Sequence, residues 1–396
     1  MALAITGALL KNTECPDVER LAITRLSLKD FRNYQSLRLD IDPRPVIIVG
    51  PNGAGKTNIL ESISCLSNSR GLRGAKLKDM ARSGLEDGAK HWFVAANIES
   101  IQGPVSLGVS WEDGNEQLDV REKRDYRING TNVSSQSAIL EHIAVVWMTP
   151  AQDRLFIESP SGRRRFVDNL VLSFNPSHAS RIAAYDKSRR DRARLLRENT
   201  SDIGWLDAIE RGMSENAIAI SAARLDLLSR IQEDIMSEDG PFPKPVLGME
   251  GLIENWLSSQ PALAVEERYI ELLANMRVRD TETGTSEGPH RSDFKAALSQ
   301  GELEASQAST GEQKAILIAV LLAHARLLSR LRGMPPIMLL DEVIAHLDSG
   351  RREALFSAIL SIGAQAWMTG TDVNLFSPLF AKSQTLHVNN SILMKE

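Results

Sequence analysis

Hydrophobic and polar positions divide the chain into three stretches. Near the start, Leu37, Leu39 and Ile41 alternate with Arg38 and Asp40, the period of a half-buried strand. "PVIIVG" (45–50) is a short, wholly apolar run ending in glycine, as expected of a central strand buried on both faces. A helix is predicted from Lys56 to about Leu66. "HWFVAANIE" and "PVSLGVSWEDG" read as strands, and Asn129-Gly130 in "DYRINGTNV" marks a tight hairpin. The first part is therefore mostly strand with one early helix. From Ser161 to Val278 the pattern becomes helical, with "IAISAARLDLLSRIQEDI" and "ALAVEERYIELLANMRVRD" as amphipathic helices, "GPFPKPVLGMEG" as a Pro/Gly break and "TETGTSEGPHRSD" as a polar loop. The last part returns to α/β. It holds an apolar helix in "QKAILIAVLLAHARLL", a buried strand in "PIMLL", another helix, and "AQAWMTG" as the last core strand. No internal repeat and no sustained heptad appear, which excludes a long coiled coil.

These patterns predict an α/β body made by both chain ends and interrupted by a mainly helical insert. The expected boundaries are an N-terminal extension at 1–20, a first body segment at 21–150, a helical arm at 151–285 and a second body segment at 286–396. The 396 residues carry 42% hydrophobic and 24% charged residues, in the soluble globular range. Two cysteines, Cys15 and Cys65, cannot staple a chain of this length, so a reducing, cytoplasmic setting is expected. No apolar run approaches the ~18 residues of a membrane span. "MALAITGALLKNTECPDVER" has no basic leading segment, and Lys11 and Glu14 interrupt its apolar patch, so it reads as an extension rather than a leader. The net charge of −5 announces no nucleic-acid partner, which would need a local basic patch.

"GPNGAGKT" fits G-x-x-x-x-G-K-[ST] between an apolar strand and a helix, the context a phosphate loop requires. Gly50, Pro51, Asn52, Gly53, Ala54 and Gly55 would turn backbone amides toward a polyphosphate at a helix N-terminus. Lys56 would bridge the terminal phosphates, and Thr57 would offer its hydroxyl to Mg²⁺. "PIMLLDEVIAHLD" ends a buried strand on Asp341-Glu342, a usual way to present a metal-organising carboxylate followed by a group that polarises water. Asp348 is a further catalytic candidate, with a helix cap as its plainer reading. In "WMTGTDVN", Thr369 or Thr371 could contact the terminal phosphate or the attacking water, and Thr371 is the catalytic candidate taken forward. "STGEQ" (309–313) precedes an apolar helix with no strand obviously feeding it.

Two basic clusters stand out. Arg163, Arg164 and Arg165 form a triplet, and the stretch from Arg181 to Arg197 holds seven basic residues against two acidic ones. Such a helix, including Arg189, Arg192 and Arg194, could track DNA phosphates by charge alone. A solvated face paired with Asp186 and Asp191 is the alternative. His290 has no partner at metal spacing and reads as a loop hydrogen-bonder.

Together the phosphate loop, the late Asp-Glu strand, the Ser-x-Gly-x-Gln helix start and the following Leu-Asp resemble ABC-type ATPase heads. Further motifs narrow this to the SMC-like DNA-repair branch and, within it, to the RecF family. They are "LSLKDFRNY", "TPAQDRLFIESPSGRRRFVDNLV", "AAYDKSRRDRARLL", "EGPHRSDF" and "MTGTD". The resemblance implies an ATP- and Mg²⁺-dependent DNA binder that dimerises with ATP bound and acts at single-strand gaps. There it would work with RecR- and RecO-type mediators to help load the RecA recombinase, with slow hydrolysis releasing the dimer. It further implies nucleotide contacts from Arg32, Asn33 and Asn58, a signature of Ser309, Gly311 and Gln313, and a Mg²⁺-sensing role for Gln152. A transporter ATP-binding subunit would carry its signature much closer behind the phosphate loop. A GTPase would carry a guanine-reading Asn-Lys-x-Asp, which is missing.

Overall fold

The computed structural model describes residues 21–67, 71–82, 89–100, 103–113, 124–133, 137–198, 202–298 and 302–395. The expected 1–20 extension lies outside the described residues. In chain order the first segment contains β1 (Ala22–Phe31), β2 (Tyr34–Asp40), β3 (Val46–Val49), α1 (Lys56–Ser64), β4 (His91–Glu99), β5 (Val105–Glu112), β6 (Asp125–Ile128), β7 (Thr131–Val133), α2 (Ser137–His142) and β8 (Val145–Met148). Helices follow: α3 (Pro160–Leu172), α4 (Ser177–Arg197) and α5 (Ile203–Ser237). Next come β9 (Val246–Glu250), α6 (Leu252–Leu257), α7 (Ala262–Asn275), α8 (Arg277–Thr283), β10 (Asp293–Leu298) and β11 (Leu303–Glu304). The last segment holds α9 (Thr310–Arg332), β12 (Ile337–Leu340), α10 (Ser349–Ile362), β13 (Ala366–Gly370), β14 (Gln384–Asn389) and β15 (Ile392–Lys395).

An antiparallel sheet, β2-β1-β4-β5-β6-β7, packs beside a mainly parallel sheet ordered β15-β14-β3-β13-β12-β8. The parallel sheet is apolar on both faces because both are covered. From β3, Val46 and Ile48 join the core shared with the antiparallel sheet and α1, whereas Ile47 and Val49 face the core under α3, α5, α9 and α10. Strands β12 and β13 divide in the same way, Leu339 and Trp367 to one core, Leu340 and Met368 to the other.

A third, smaller core of Tyr185, Met213, Ala217, Ile220, Val265 and Tyr269 holds the helical region together. Helix α5 joins the two bodies. Its first half feeds that core, and Leu227, Leu228, Ile231 and Ile235 in its second half feed the core under the parallel sheet. At 35 residues it is about 52 Å long.

Two expectations need correction. "PVLGMEG" is not merely a break, since β9 occupies it and pairs antiparallel with β10, Met249 opposite Phe294. Only Met249 of β9 is buried, so the strand lacks the alternating apolar signal. Nor is "AQAWMTG" the last core strand: β14 runs beside β3 and burial of Leu386 and Val388 completes the sheet.

Candidate active site

β3 is buried along its length and ends at the phosphate loop, whose close turn needs glycine. Gly55 caps α1 at φ +111°, and a Cβ there would lie 2.5 Å from Asn33 Nδ2. Lys56, 5% exposed, donates to the carbonyls of Gly50 (2.8 Å) and Pro51 (3.1 Å), and its Nζ lies 3.7 Å from Glu342 Oε1.

Neighbouring strand ends bring the acidic groups to this loop. β12 lies between β8 and β13, and Asp341 follows its last residue, anchored by its N–H to the Met148 carbonyl at 2.9 Å. Thr57 Oγ1 donates to the Asp341 carboxylate, 2.9 Å from Oδ1 and 3.1 Å from Oδ2. Thr369, fully buried on β13, donates to Asp341 Oδ1 at 2.7 Å and accepts from the Glu342 N–H at 2.9 Å. Glu342 adopts φ +51°, a conformation that costs a non-glycine residue about 1–3 kcal/mol and that clusters at functional sites. Thr369 therefore holds both acids from below, while Thr371 is exposed. Of the two threonines the sequence offered, Thr369 is the one in the site, and the choice of Thr371 is corrected.

The β1–β2 turn forms another wall. Asn33 Nδ2 donates to the Ala54 carbonyl (3.3 Å) and to Ser391 Oγ (2.8 Å), while its Oδ1 accepts from Asn58 Nδ2 (2.8 Å). Tyr34 adds a bond from its hydroxyl to the Gly55 carbonyl at 3.2 Å. Arg32 turns away from the phosphate loop. Its guanidinium forms a bidentate pair with the fully buried Glu61 of α1, at 2.8 and 2.6 Å, and also donates to the Asp79 carbonyl. Arg32 anchors α1 rather than a ligand, which corrects its assignment as a nucleotide contact. Arg73 approaches the same Glu61 at 3.3 Å and donates to Asn58 Oδ1 at 3.0 Å. Neither Arg73 nor Ser391 is marked by sequence pattern; only the turn residues "NNS" hint at the hairpin that carries Ser391.

Gln152 lines the same groove as Thr57 and Asp341, but its Oε1 accepts from the Thr149 N–H at 2.8 Å in a capping box. That bond uses one of the two lone pairs on Oε1 and leaves the other open toward the groove's ligands. Asp348 caps α10, accepting from the Arg351 N–H at 2.9 Å, and the cap is the role its geometry describes. Ser309 caps α9 in a reciprocal box with Glu312: its Oγ accepts from the Glu312 N–H (3.3 Å), and its own N–H donates to Glu312 Oε2 (2.9 Å). Donation to its carboxylate from the Ser309 hydroxyl (2.8 Å), then from the Ser309 N–H, holds the Glu312 carboxyl below its usual range. Gln313 is 3% exposed; its Nε2 donates to the Ala308 carbonyl, and its Oε1 is buried without a partner among the described residues. Ser309, Gly311 and Gln313 are not among the described residues lining the groove that contains Thr57 and Asp341.

That groove, about 1680 Å³, runs from Thr57 and Asp341 to Arg164, Arg165, Tyr185 and His290 of the helical region. The arginines there divide sharply. Arg163 pairs with Asp293 (2.6 Å) and donates to the carbonyl of Glu158 (2.6 Å). Arg192 is 2% exposed, held between Glu210 (2.7 Å), Asp280 (2.8 Å) and the Leu273 carbonyl (2.7 Å). Neither has a guanidinium to offer DNA, and both assignments are corrected. Arg164 donates to the Ser292 carbonyl at 2.7 Å, and burial followed by the nearby Arg224 lowers its pKa. Arg165 and Arg194 are exposed, Arg194 lying 3.7 Å from Asp191; Arg189 is half-buried, 3.7 Å from Asp186. His290 Nδ1 shares a hydrogen bond with the Tyr185 hydroxyl at 2.8 Å, matching its reading as a loop hydrogen-bonder. Burial, then Arg189, Arg164 and Arg291, pushes its pKa down to about 4.

The chain is similar to known proteins along most of its length. The family model described as the RecF/RecN/SMC N terminal domain matches residues 22–378. The chain is 44% identical over 375 residues to the DNA replication and repair protein RecF of Rhizobium meliloti (strain 1021), covering 94% of this chain and 98% of that protein. It is 44% identical over 371 residues to RecF of Mesorhizobium japonicum, covering 93% and 96%. The solved recombination mediator protein RecF-ATPrS of the RecFOR pathway superimposes with a TM-score of 0.80 at 21% identity, covering 95% of this chain and 98% of that one. An Smc head domain from Pyrococcus furiosus shares the fold more distantly, with a TM-score of 0.52 at 15% identity over 95% and 96% of the two chains. No helix among the described residues is long and apolar enough to cross a membrane. With a phosphate loop facing an Asp-Glu strand end, and identity to RecF proteins along nearly its whole length, this chain belongs to the RecF family of DNA replication and repair proteins.

Proposed function

We propose that the chain is an ATP-dependent DNA-binding switch of recombinational repair. The observation that carries this reading is the contact of Thr57, Asp341, Thr369 and Glu342 beside Lys56, assembled from three strand ends of one sheet. The Thr57 hydroxyl and Asp341 carboxylate are hard oxygen donors already within hydrogen-bonding distance, a donor set that fits Mg²⁺. Mg²⁺ held by Thr57 and Asp341 would supply neutralisation of the negative charge on the phosphates of ATP. Lys56 would leave the Gly50 and Pro51 carbonyls for the phosphates, and the amides of Gly53 to Thr57 would cradle them at the α1 N-terminus. Glu342, held by Thr369, would orient the attacking water. The RecF solved with ATP, of the RecFOR pathway, supports ATP as the nucleotide and a mediator setting.

Ser309 and Gly311 stand at the start of α9 outside their own chain's groove. In this reading they serve the terminal phosphate held by Lys56 of a second copy, so ATP closes a homodimer around DNA and slow hydrolysis reopens it. DNA at single-strand gaps, RecR- and RecO-type mediators and a RecA-type recombinase are the partners this reading gives the chain, in the cytoplasm. The N-terminal and C-terminal segments, 21–150 and 286–396, would form the ATPase head, and 151–285 the arm.

Light scattering of the Glu342→Gln protein tests this reading. A dimer is expected only with Mg-ATP, strengthened by gapped DNA, and lost when Ser309→Arg is added. A Ser309→Arg protein that still dimerises normally would overturn the role in trans. If no ATP binds at all, the switch reading itself fails.

A further inference from the structure

The two-residue loop between β14 and β15, Asn390-Ser391, is an unusual hairpin turn. Asn389 pairs with Ile392, and both loop residues have positive φ, +45° and +66°. A turn of this hand favours glycine, or Asn at its first position, because a Cβ is strained there. Ser at the second position breaks that local rule. Departures of this kind concentrate where a side chain has another task.

The task is visible in the contacts. Ser391 donates its N–H to the Ala54 carbonyl at 3.2 Å, and its Oγ accepts from Asn33 Nδ2 at 2.8 Å. Asn33 reaches the same Ala54 carbonyl at 3.3 Å and holds Asn58, the residue after Thr57, at 2.8 Å. β14 itself lies hard against the loop: a Cβ on Gly50 would lie 2.1 Å from the Val388 carbonyl. A carbonyl fixed by two donors leaves the neighbouring amides of the phosphate loop pointing the other way, toward an anion. Three segments distant in sequence thus meet on one peptide unit of the nucleotide site.

We infer that Ser391 is a positioning residue for nucleotide binding: the C-terminal hairpin clamps the phosphate loop through Ser391 and Asn33, and the serine is kept at a strained turn position for that purpose. The inference rests on the ATP reading above and goes beyond it, since neither the motifs nor the acidic strand end involves β15. It also separates fold stability from ligand affinity. Replacing Ser391 by glycine relieves the turn, retains the backbone N–H and removes only the Oγ acceptor.

The experiment is a titration of wild type, Ser391→Gly, Asn33→Ala and the double variant with a fluorescent ATP analogue and Mg²⁺, alongside thermal melts without nucleotide. Ser391→Gly is expected to bind about three- to tenfold more weakly, the scale of one missing hydrogen bond, with a melting temperature equal to or above wild type. The double variant should bind no more weakly than Asn33→Ala alone, because both act through one contact. An unchanged Kd for Ser391→Gly overturns the proposal. So does a weaker Kd accompanied by a lower melting temperature, which would make Ser391 an ordinary structural residue. Wild-type protein that fails to bind the analogue counts against the ATP reading instead, so the two failures are distinguishable.

Discussion

The cleft of the α/β body and the helical region both concentrate charge, yet they handle it in opposite ways. In the cleft, Lys56 leans on two backbone carbonyls and lies at 3.7 Å from Glu342, contacts that a phosphate can replace. In the helical region, Arg192 is sealed between Glu210 and Asp280, and Arg224 between Asp168, the Pro289 carbonyl and Glu254. Despite burial, hydrogen bonds from His178 and Arg224 keep the Asp168 carboxyl below its usual range. Charge at strand ends is available for chemistry, whereas charge inside a helix bundle is committed to holding helices α4, α5 and α8 in place.

Removing Arg192 should give the sharpest contrast. Arg192→Ala strips two buried carboxylates of their shared guanidinium, leaving Glu210 to Arg277 and Asp280 to Arg279, and a fall of up to about 3–5 kcal/mol in unfolding free energy is expected by denaturant titration. A fall below about 1 kcal/mol would break the comparison, because Arg192 would then behave as a surface group. In the cleft, Lys56→Met should slow ATP hydrolysis on the order of 10²–10³-fold while leaving the denaturation midpoint nearly unchanged. A large fall in that midpoint would show that Lys56, too, is structural.

His324 provides a third case, where α9 meets α3 and its Nε2 lies 3.0 Å from the Leu170 carbonyl. Burial pushes its pKa down to about 4 from a free value of 6.5. The unfolded chain therefore takes the proton first, and stability falls as pH drops from about 6.5 through 4. His324→Gln should flatten that fall by up to about 3 kcal/mol, read as the difference between the two proteins' pH–stability curves. His290 has the same direction of shift and remains in both proteins. Parallel curves would mean that His324 stays neutral in both states.

The smallest stability effect belongs to the exposed arginines. Arg165→Glu with Arg194→Glu should shift unfolding by no more than about 0.5 kcal/mol. It should weaken DNA binding and lower its salt slope by about 1 for each phosphate no longer neutralised. An unaltered slope would take both residues out of the interface.

Much of this is legible in the sequence where one short pattern determines one structure. The apolar run at 45–50, the glycine-rich turn and Lys56 specify strand, loop and helix locally, and Asp341-Glu342 ends an unmistakable buried strand. The cap at Asp348 is equally local, and it forms. The failures involve partners distant in sequence. No local periodicity tells that Arg192 faces Asp280, that Arg163 meets Asp293, or that Arg32 turns to Glu61. β9 is hidden for a similar reason: it is stabilised by pairing with β10 and buries only Met249. Choosing between Thr369 and Thr371 needs the strand's end point, since side chains two apart share a face in an extended strand but Thr371 lies past the end of β13.

The order β15-β14-β3-β13-β12-β8 also has a consequence for biosynthesis. β3 leaves the ribosome early, but both of its neighbours, β13 and β14, are made near the end of the chain. At ~5–20 residues per second, β3 waits roughly 15–60 s for its flanking strands. Through that interval both backbone edges have no native partner, the face of Ile47 and Val49 lacks α9 and α10, and the phosphate loop lacks Asp341 and Ser391. A chain truncated before β12 should therefore be an aggregation-prone product rather than a weak nucleotide binder.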